Sequence, residues 1–263
     1  MKAMKEAKVS VLDPGFLYGA GLFETMRSCN NKIVYLDAHL QRIKDSCRLI
    51  NLAFPFTLPG LKRIIQEAVR IEGLADSYVR LTLWEAGKGT SASVIVKKYR
   101  PYPAAKYCAG FRGCIGPYRQ GVDSGFSRVK STGYLFYRLS LKDARRRGFD
   151  EAVILNNLGF IVEGSRTNIF FVKGGELFTP ALECGGLAGI TRSAVFDLCT
   201  SSHIKVSEGK FIPADLYAAD EAFLTNSLMG IMPLTSFEAK PIGKNKCRRL
   251  ISLLIKKYNC LLK

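Results

Sequence analysis

Histidine is nearly absent from this chain, which carries only His39 and His203 in 263 residues. Two imidazoles so far apart, beside eight cysteines that form no C-x-x-C pair, offer no metal-binding spacing, and no metal is expected. The same scarcity weighs against a serine–histidine hydrolase. Long apolar runs are missing too. The longest candidate, residues 250–255, falls far short of the roughly 18 residues a membrane helix needs, so no membrane partner is expected. No secretory leader is read at the start, and scattered thiols then fit a reducing compartment, so the expected location is cytoplasmic. Acidic residues are in deficit, with 22 Asp+Glu against 39 Lys+Arg and a formal net charge of +17. Such a charge suits an anionic partner: nucleic acid, a membrane surface or an acidic metabolite. The positive residues are spread along the chain, densest at helical spacing over 142–147 and 244–257, with no nucleic-acid motif and no aromatic–basic interleaving. The charge is therefore read as a solvated basic surface, and no nucleic-acid partner is expected.

What is present is ordinary globular material, 48% apolar and 23% charged, long enough for one large domain or two modest ones. Residues 1–8 read as a frayed polar stub. Val9, Val11 and the turn Asp13-Pro14-Gly15 read as a strand end and turn. A short strand is expected at 32–35, a helix capped by Asp37, a second helix over 59–71, and paired strands over 78–84 and 93–96. Arg100-Pro101-Tyr102-Pro103 breaks the pattern. After it a helix is expected over 133–147, hairpins over 151–163 and 169–179, a helix over 191–200, strands at 204–206 and 222–225, and a closing helix over 246–258. The fold class is mixed α+β or α/β in two lobes. The smaller N-terminal α/β domain spans 1–105, a linker 106–120, and the larger C-terminal domain, carrying Lys130, spans 121–263.

A few residues carry chemistry. Lys130 lies between an irregular stretch and a helix, where a shielded amine could perform Schiff-base chemistry. Glu163 ends the run Phe160-Ile161-Val162, so its carboxylate needs a cationic partner, such as a protonated pyridine nitrogen. Gly189-Ile190-Thr191-Arg192 opens a helix and Thr225-Asn226-Ser227 follows a strand; both suit a phosphate, and Arg42 could be a third phosphate ligand. Taken singly, each has a plain alternative: a solvated lysine or arginine, a surface glutamate before a turn, an ordinary helix cap. Taken together they form a binding set for a phosphorylated pyridinium aldehyde.

In this combination the chain resembles the class IV aminotransferase-like enzymes that use pyridoxal 5'-phosphate. The resemblance rests on six segments in the family's order: Asp13-Pro14-Gly15 through Gly21-Leu22-Phe23-Glu24-Thr25-Met26-Arg27, His39-Leu40-Gln41-Arg42-Ile43, Lys130-Ser131-Thr132-Gly133-Tyr134-Leu135, Glu163-Gly164 through Asn168-Ile169-Phe170, Gly189-Ile190-Thr191-Arg192, and Asn226-Ser227-Leu228-Met229-Gly230-Ile231-Met232-Pro233. It implies the two-lobed fold type IV, D-amino acid aminotransferase-like architecture around one cofactor, and a homodimer. It also implies roles. Lys130 is similar to the Schiff-base lysine and proton shuttle, and Glu163 to the partner of the pyridine nitrogen. Arg42, Ile190 (through its amide), Thr191 and Ser227 match phosphate-holding positions, and Tyr134 a tyrosine near the cofactor's phenolate oxygen. Tyr78 and Arg80 match a pair that meets a substrate carboxylate, and Arg27 and Arg166 are further candidates for a second carboxylate.

Three activities share this scaffold: branched-chain aminotransferase, D-amino acid aminotransferase and 4-amino-4-deoxychorismate lyase. The Asn226–Pro233 segment and the short spacing from Lys130 to Tyr134 are similar to the lyase. The expected reaction is therefore conversion of 4-amino-4-deoxychorismate to 4-aminobenzoate and pyruvate, a step of folate biosynthesis, with transamination as the alternative. A basic nucleic-acid-binding protein and a non-catalytic homologue are weaker readings. The chain departs from the family at several points. Ala20 replaces a usual aspartate, Gly133 a usual asparagine, and Leu83-Trp84-Glu85 a common arginine–glycine pair. The usual first strand is also missing, which reads as an internal start or a lost edge strand.

Overall fold

The computed structural model describes residues 8–122, 125–243 and 249–262. The chain divides into two compact units, one of residues 1–100 with 129–134, the other of residues 101–128 with 135–263.

The first unit runs α1 (Pro14–Leu17), β1 (Gly21–Cys29), β2 (Lys32–Ile33), α2 (Leu36–Leu49), α3 (Leu58–Glu72), β3 (Asp76–Ala86) and β4 (Gly89–Lys98). Among the described residues its four strands form an antiparallel sheet in the order β2-β1-β3-β4. Strand alternation sets its two faces. Leu22 and Met26 of β1, with Val79, Leu81 and Leu83 of β3, pack against Leu40, Ile43 and Cys47 of α2 and Leu61, Ile65 and Val69 of α3. Phe23, Thr25 and Arg27 point the other way, paired in register with Thr82, Arg80 and Tyr78. The segment Val129–Tyr134 extends this sheet along β1. Phe23 N donates to Lys130 O at 2.9 Å and Thr132 N to Gly21 O at 2.8 Å.

The second unit runs α4 (Ala104–Ala109), β5 (Phe111–Gln120), α5 (Leu135–Arg146), β6 (Glu151–Asn156), β7 (Ile161–Gly164), β8 (Asn168–Lys173), β9 (Glu176–Pro180), α6 (Ile190–Thr200), β10 (Val206–Gly209), α7 (Pro213–Tyr217), β11 (Glu221–Asn226), β12 (Gly230–Phe237), β13 (Lys240–Pro241) and α8 (Arg249–Leu261). Its strands are ordered β10-β9-β8-β11-β12-β5-β6-β7, with β13 paired to β12. One core forms around Phe111, Phe171, Leu224 and Phe237. On the opposite face of β8 and β11, Phe170 stacks on Phe223 and meets Phe196 of α6.

Most expected elements are present, and the differences have physical causes. Residues 106–120, expected as a linker, hold the end of α4 and all of β5; Gly113, Gly116 and Pro117 mask that strand in sequence. Lys130, expected in the C-terminal domain, travels with the first unit because its segment is hydrogen-bonded to β1. Val9 and Val11 lie outside any strand, and Pro14–Leu17 is a helical turn. α2 is entered through a left-handed Tyr35, while Asp37 bonds Lys62 at 2.7 Å instead of capping. α5 begins at Leu135, because residues 131–134 remain tied to β1. The expected strand at 204–206 lies at Val206–Gly209. The beginnings of the expected N-terminal stub and closing helix lie outside the described residues.

Candidate functional site

In the first unit, the face of β1 and β3 turned away from α2 and α3 gathers five of the expected residues. Lys130 Nζ lies 4.6 Å from the centre of the Phe23 ring and 5.5 Å from that of Tyr134. The Phe23 and Tyr134 rings meet edge to face at 5.5 Å. The Arg80 guanidinium carbon lies 3.8 Å from the Phe23 ring centre. Tyr78 is two residues before Arg80 and so shares its face. Arg27, opposite Tyr78, stacks over Tyr99 at 4.4 Å and pairs with Asp76 at 3.5 Å. Its Nε is buried with no hydrogen-bond partner. Arg80 and Lys130 around the Phe23 ring, with Arg27 over Tyr99 on the same face, make a face suited to carboxylates.

Arg42, nearly two turns into α2, meets Glu24 of β1. Its Nε donates to Glu24 Oε1 at 2.7 Å and its Nη2 to Oε2 at 2.6 Å. His39 Nδ1 lies 2.6 Å from the same Oε2. Glu24 and His39 are each 1% exposed. Burial alone would raise the Glu24 carboxyl, but the Arg42 charge and the hydrogen bonds from His39 and Arg42 outweigh it and bring it down to about 2. Burial pushes the His39 imidazole below its ordinary range, against the pull of Glu24, and the Arg42 and Lys130 charges add to that push. Arg42 already neutralises Glu24, so a second cation gains little there. Neutral His39 then donates from Nδ1 to the carboxylate.

These shifts set an acid limit. A histidine whose folded value lies below its unfolded 6.5 costs stability as pH falls from 6.5 toward that lower value. A carboxyl depressed from 4.5 to about 2 contributes stability that is full above 4.5 and lost on the way down to 2. The thermal midpoint should therefore fall in both windows. His39→Gln should flatten the upper one, and a pH series by scanning calorimetry checks this; an unchanged slope there would contradict the assignment.

In the second unit, Glu163 is buried at the end of β7. The Tyr137 hydroxyl lies 3.2 Å from its Oε1 and 3.1 Å from Gln120 Oε1. Leu187 N donates to Glu163 Oε2 at 3.1 Å, and Asn168 Nδ2 at 3.3 Å. Asn168 Nδ2 also reaches Leu187 O at 2.8 Å. The carboxylate is thus fixed from a helix, a neighbouring strand and a loop.

Gly189 caps α6 without a side-chain hydrogen bond, leaving the amides of Ile190 and Thr191 in an uncapped first turn. Such a turn is built for an anion. Thr225 shares the face of β11 that carries Phe223, the face covered by α6, and its buried Oγ1 has no hydrogen-bond partner. After it, Asn226 Oδ1 accepts from Leu228 N at 3.0 Å and Met229 N at 2.9 Å, shaping the turn that presents Ser227. An uncapped helix start, an orphaned buried hydroxyl and a serine turn fit a phosphate. Glycine is required at 189 because a Cβ there would collide with Asn168 Oδ1 and lie 3.3 Å from Arg192 Cβ. Gly189→Ala should cost about 1–3 kcal/mol of stability, read by urea unfolding.

Arg166 lies beside the Asn226 turn, where Asn226 Nδ2 donates to Arg166 O at 3.3 Å. Its Nε pairs with the fully buried Glu151 at 3.4 Å and its Nη2 reaches Tyr102 at 3.3 Å, so its guanidinium is engaged in the fold. Sequence reasoning assigned no role to Glu24, His39, Gln120, Tyr137 or Asn168, nor to Thr225 apart from its turn. Glu24, His39 and Asn168 stand inside the motif segments quoted above, and the three-residue step from His39 to Arg42 places both on one side of a helix.

Comparison with known proteins gives the family. The family model described as amino-transferase class IV matches residues 21–237. A Methanocaldococcus jannaschii protein named "Putative branched-chain-amino-acid aminotransferase" is 33% identical, covering 97% of this chain and 91% of its own. The T.th. branched-chain amino acid aminotransferase solved with pyridoxamine 5'-phosphate superposes with a TM-score of 0.91 at 27% identity, covering 97% of this chain and 88% of that one. A Legionella pneumophila structure, "Putative 4-amino-4-deoxychorismate lyase", gives a TM-score of 0.91 at 23% identity, covering 98% and 96%, and shares the fold. The chain belongs to the class IV aminotransferase family, whose members are pyridoxal-phosphate-dependent enzymes.

Proposed function

We propose that this class IV enzyme is a lyase converting 4-amino-4-deoxychorismate to 4-aminobenzoate and pyruvate. Lys130 holds the cofactor and moves the proton from the substrate carbon that bears nitrogen. Glu163 faces the ring nitrogen and keeps it protonated. Arg42, Ile190 N, Thr191 and Ser227 hold the phosphate, and Tyr134 lies by the phenolate oxygen. When bound, pyridoxal phosphate supplies the electron sink for breaking bonds at that carbon. Loss of the proton and of the neighbouring enolpyruvyl ether makes the substrate ring aromatic, so no second substrate is consumed.

The observation that carries the reading is the cationic face of β1 and β3. Arg27 and Arg80 lie one diagonal step apart on the face that holds Phe23 and Lys130. The lyase substrate has two carboxylates for such a face, with Tyr78 beside them. The turn Asn226-Ser227-Leu228-Met229 supports the same reading.

A second reading, transamination of branched-chain or D-amino acids, is favoured by the name of the 33% identical relative. The purified holoenzyme, given aminodeoxychorismate alone, should release 4-aminobenzoate. No product there, with 2-oxoglutarate-dependent conversion of leucine or D-alanine, would replace the lyase by the transaminase.

We further propose a homodimer, supported by the exposed apolar residues Val11, Leu12, Phe16, Leu17 and Tyr18 on one short stretch. A cytoplasmic location is supported by free thiols at every described cysteine. Among the described residues no helix is long and apolar enough to cross a membrane, and no group of side chains could hold a metal.

A further inference from the structure

Glu24 and His39 take no part in the chemistry proposed above, yet both are buried and both converge on a residue that does. The Glu24 carboxylate lies on the core-facing side of β1 among Leu22, Met26, Leu40 and Ile43, where an unpaired charge would be costly. It is bound along one edge of the Arg42 fork, through Nε and Nη2. The N–H groups left for a further partner are both of Nη1 and the second of Nη2, away from the Glu24 edge. A fork held at two points has fixed direction as well as fixed place. His39 closes the third contact on the same carboxylate, so Glu24 cannot turn without breaking it.

We propose that Glu24, braced by His39, is a positioning residue that aims Arg42 at the cofactor's phosphate. This rests on the reading of Arg42 as a phosphate ligand.

Two effects compete when Glu24 is neutralised. Removing its negative charge strengthens the pull of the nearby cations, Arg42 and Lys130, on a dianionic phosphate. Removing its two-point grip frees a long side chain that is 14% exposed and can turn toward water. Both charge-assisted bonds of the fork are lost or weakened together, because an amide offers one acceptor where the carboxylate offers two. Orientation therefore outweighs the added attraction.

The test compares pyridoxal 5'-phosphate with pyridoxal, which lacks the phosphate, as ligands of the cofactor-stripped protein. Affinities are read from the visible absorbance each develops. The wild type should prefer the phosphorylated form. Glu24→Gln should lose roughly 10- to 100-fold of affinity for pyridoxal phosphate, the scale of one to two such bonds, while its affinity for pyridoxal stays within about twofold. His39→Leu should show the same selective loss in smaller measure, and His39→Gln, which retains an N–H donor, should restore most of it. Equal losses for both ligands would mean a purely structural role and would overturn the proposal, as would a Glu24→Gln preference equal to or above the wild type. If Glu24→Gln does not fold, the His39 pair decides alone: selective loss in His39→Leu with recovery in His39→Gln supports the proposal, and any other pattern rejects it. A wild type with no preference for the phosphorylated ligand would instead remove the reading of Arg42 on which the proposal stands.

Discussion

Replacing Lys130 by alanine is expected to abolish the visible absorbance of the cofactor-loaded protein and to lower turnover by roughly a thousandfold or more. The amine is the side chain of this segment that can form a Schiff base with an aldehyde. Its surroundings are built for that one side chain: the backbone of 130–132 is tied to β1, so Nζ is carried to the Phe23 ring by sheet hydrogen bonds and not by a mobile loop. Lys130→Arg is the sharper variant. It retains the positive charge beside Phe23, but its guanidinium stays protonated and cannot act as a nucleophile or base. Both variants should fold with midpoints close to the wild type. Turnover above a tenth of wild type in either would contradict the role.

Glu163→Gln should be the second most damaging change, lowering turnover by roughly 100-fold or more because a neutral amide no longer favours a protonated ring nitrogen. Some stability is lost as well. Tyr137, Asn168 and Leu187 N converge on the carboxylate, and an amide turned either way places an N–H against at least one donor. The two effects separate experimentally. Single-turnover rates at saturating cofactor report the chemistry, and urea unfolding reports the fold. Unaltered single-turnover rates with reduced stability would leave Glu163 a structural residue.

The site residues that sequence could single out are those whose chemistry shows in a short motif. Lys130, Glu163, the Gly189–Arg192 helix start and the Asn226–Ser227 turn each sit where strand or helix meets loop, and the local pattern marks them. The supports were harder to read because they depend on register between distant segments. Glu24 is 15 residues from His39 and 18 from Arg42, and only the packing of β1 against α2 joins them. Tyr137 reaches Glu163 across 26 residues. Arg166 likewise meets Glu151, fully buried on β6, across 15 residues.

The fold follows the same division. Helices with a clean apolar face, such as α3, and alternating strands, such as β3, are apparent from periodicity. β1 is not, because it is buried or half-buried along both faces and carries Glu24 and Ser28 inward, which breaks the alternation. β5 is interrupted by glycines and a proline. The return of residues 129–134 to the first unit is a long-range pairing that no local window contains. The cysteines, unassigned in sequence, receive a physical account in part. Burial pushes the Cys47, Cys114 and Cys199 thiols up to about 11, which makes them poor nucleophiles.

Borohydride reduction of the cofactor-loaded protein, followed by tryptic peptide mapping, tests the central claim most directly. Fixing the cofactor on Lys130 blocks cleavage after that residue. One modified peptide is expected, running from Val129 to Arg138 and carrying a reduced pyridoxyl phosphate. Recovery of the label on another lysine, or unmodified cleavage after Lys130 in protein that shows the visible band, would contradict it.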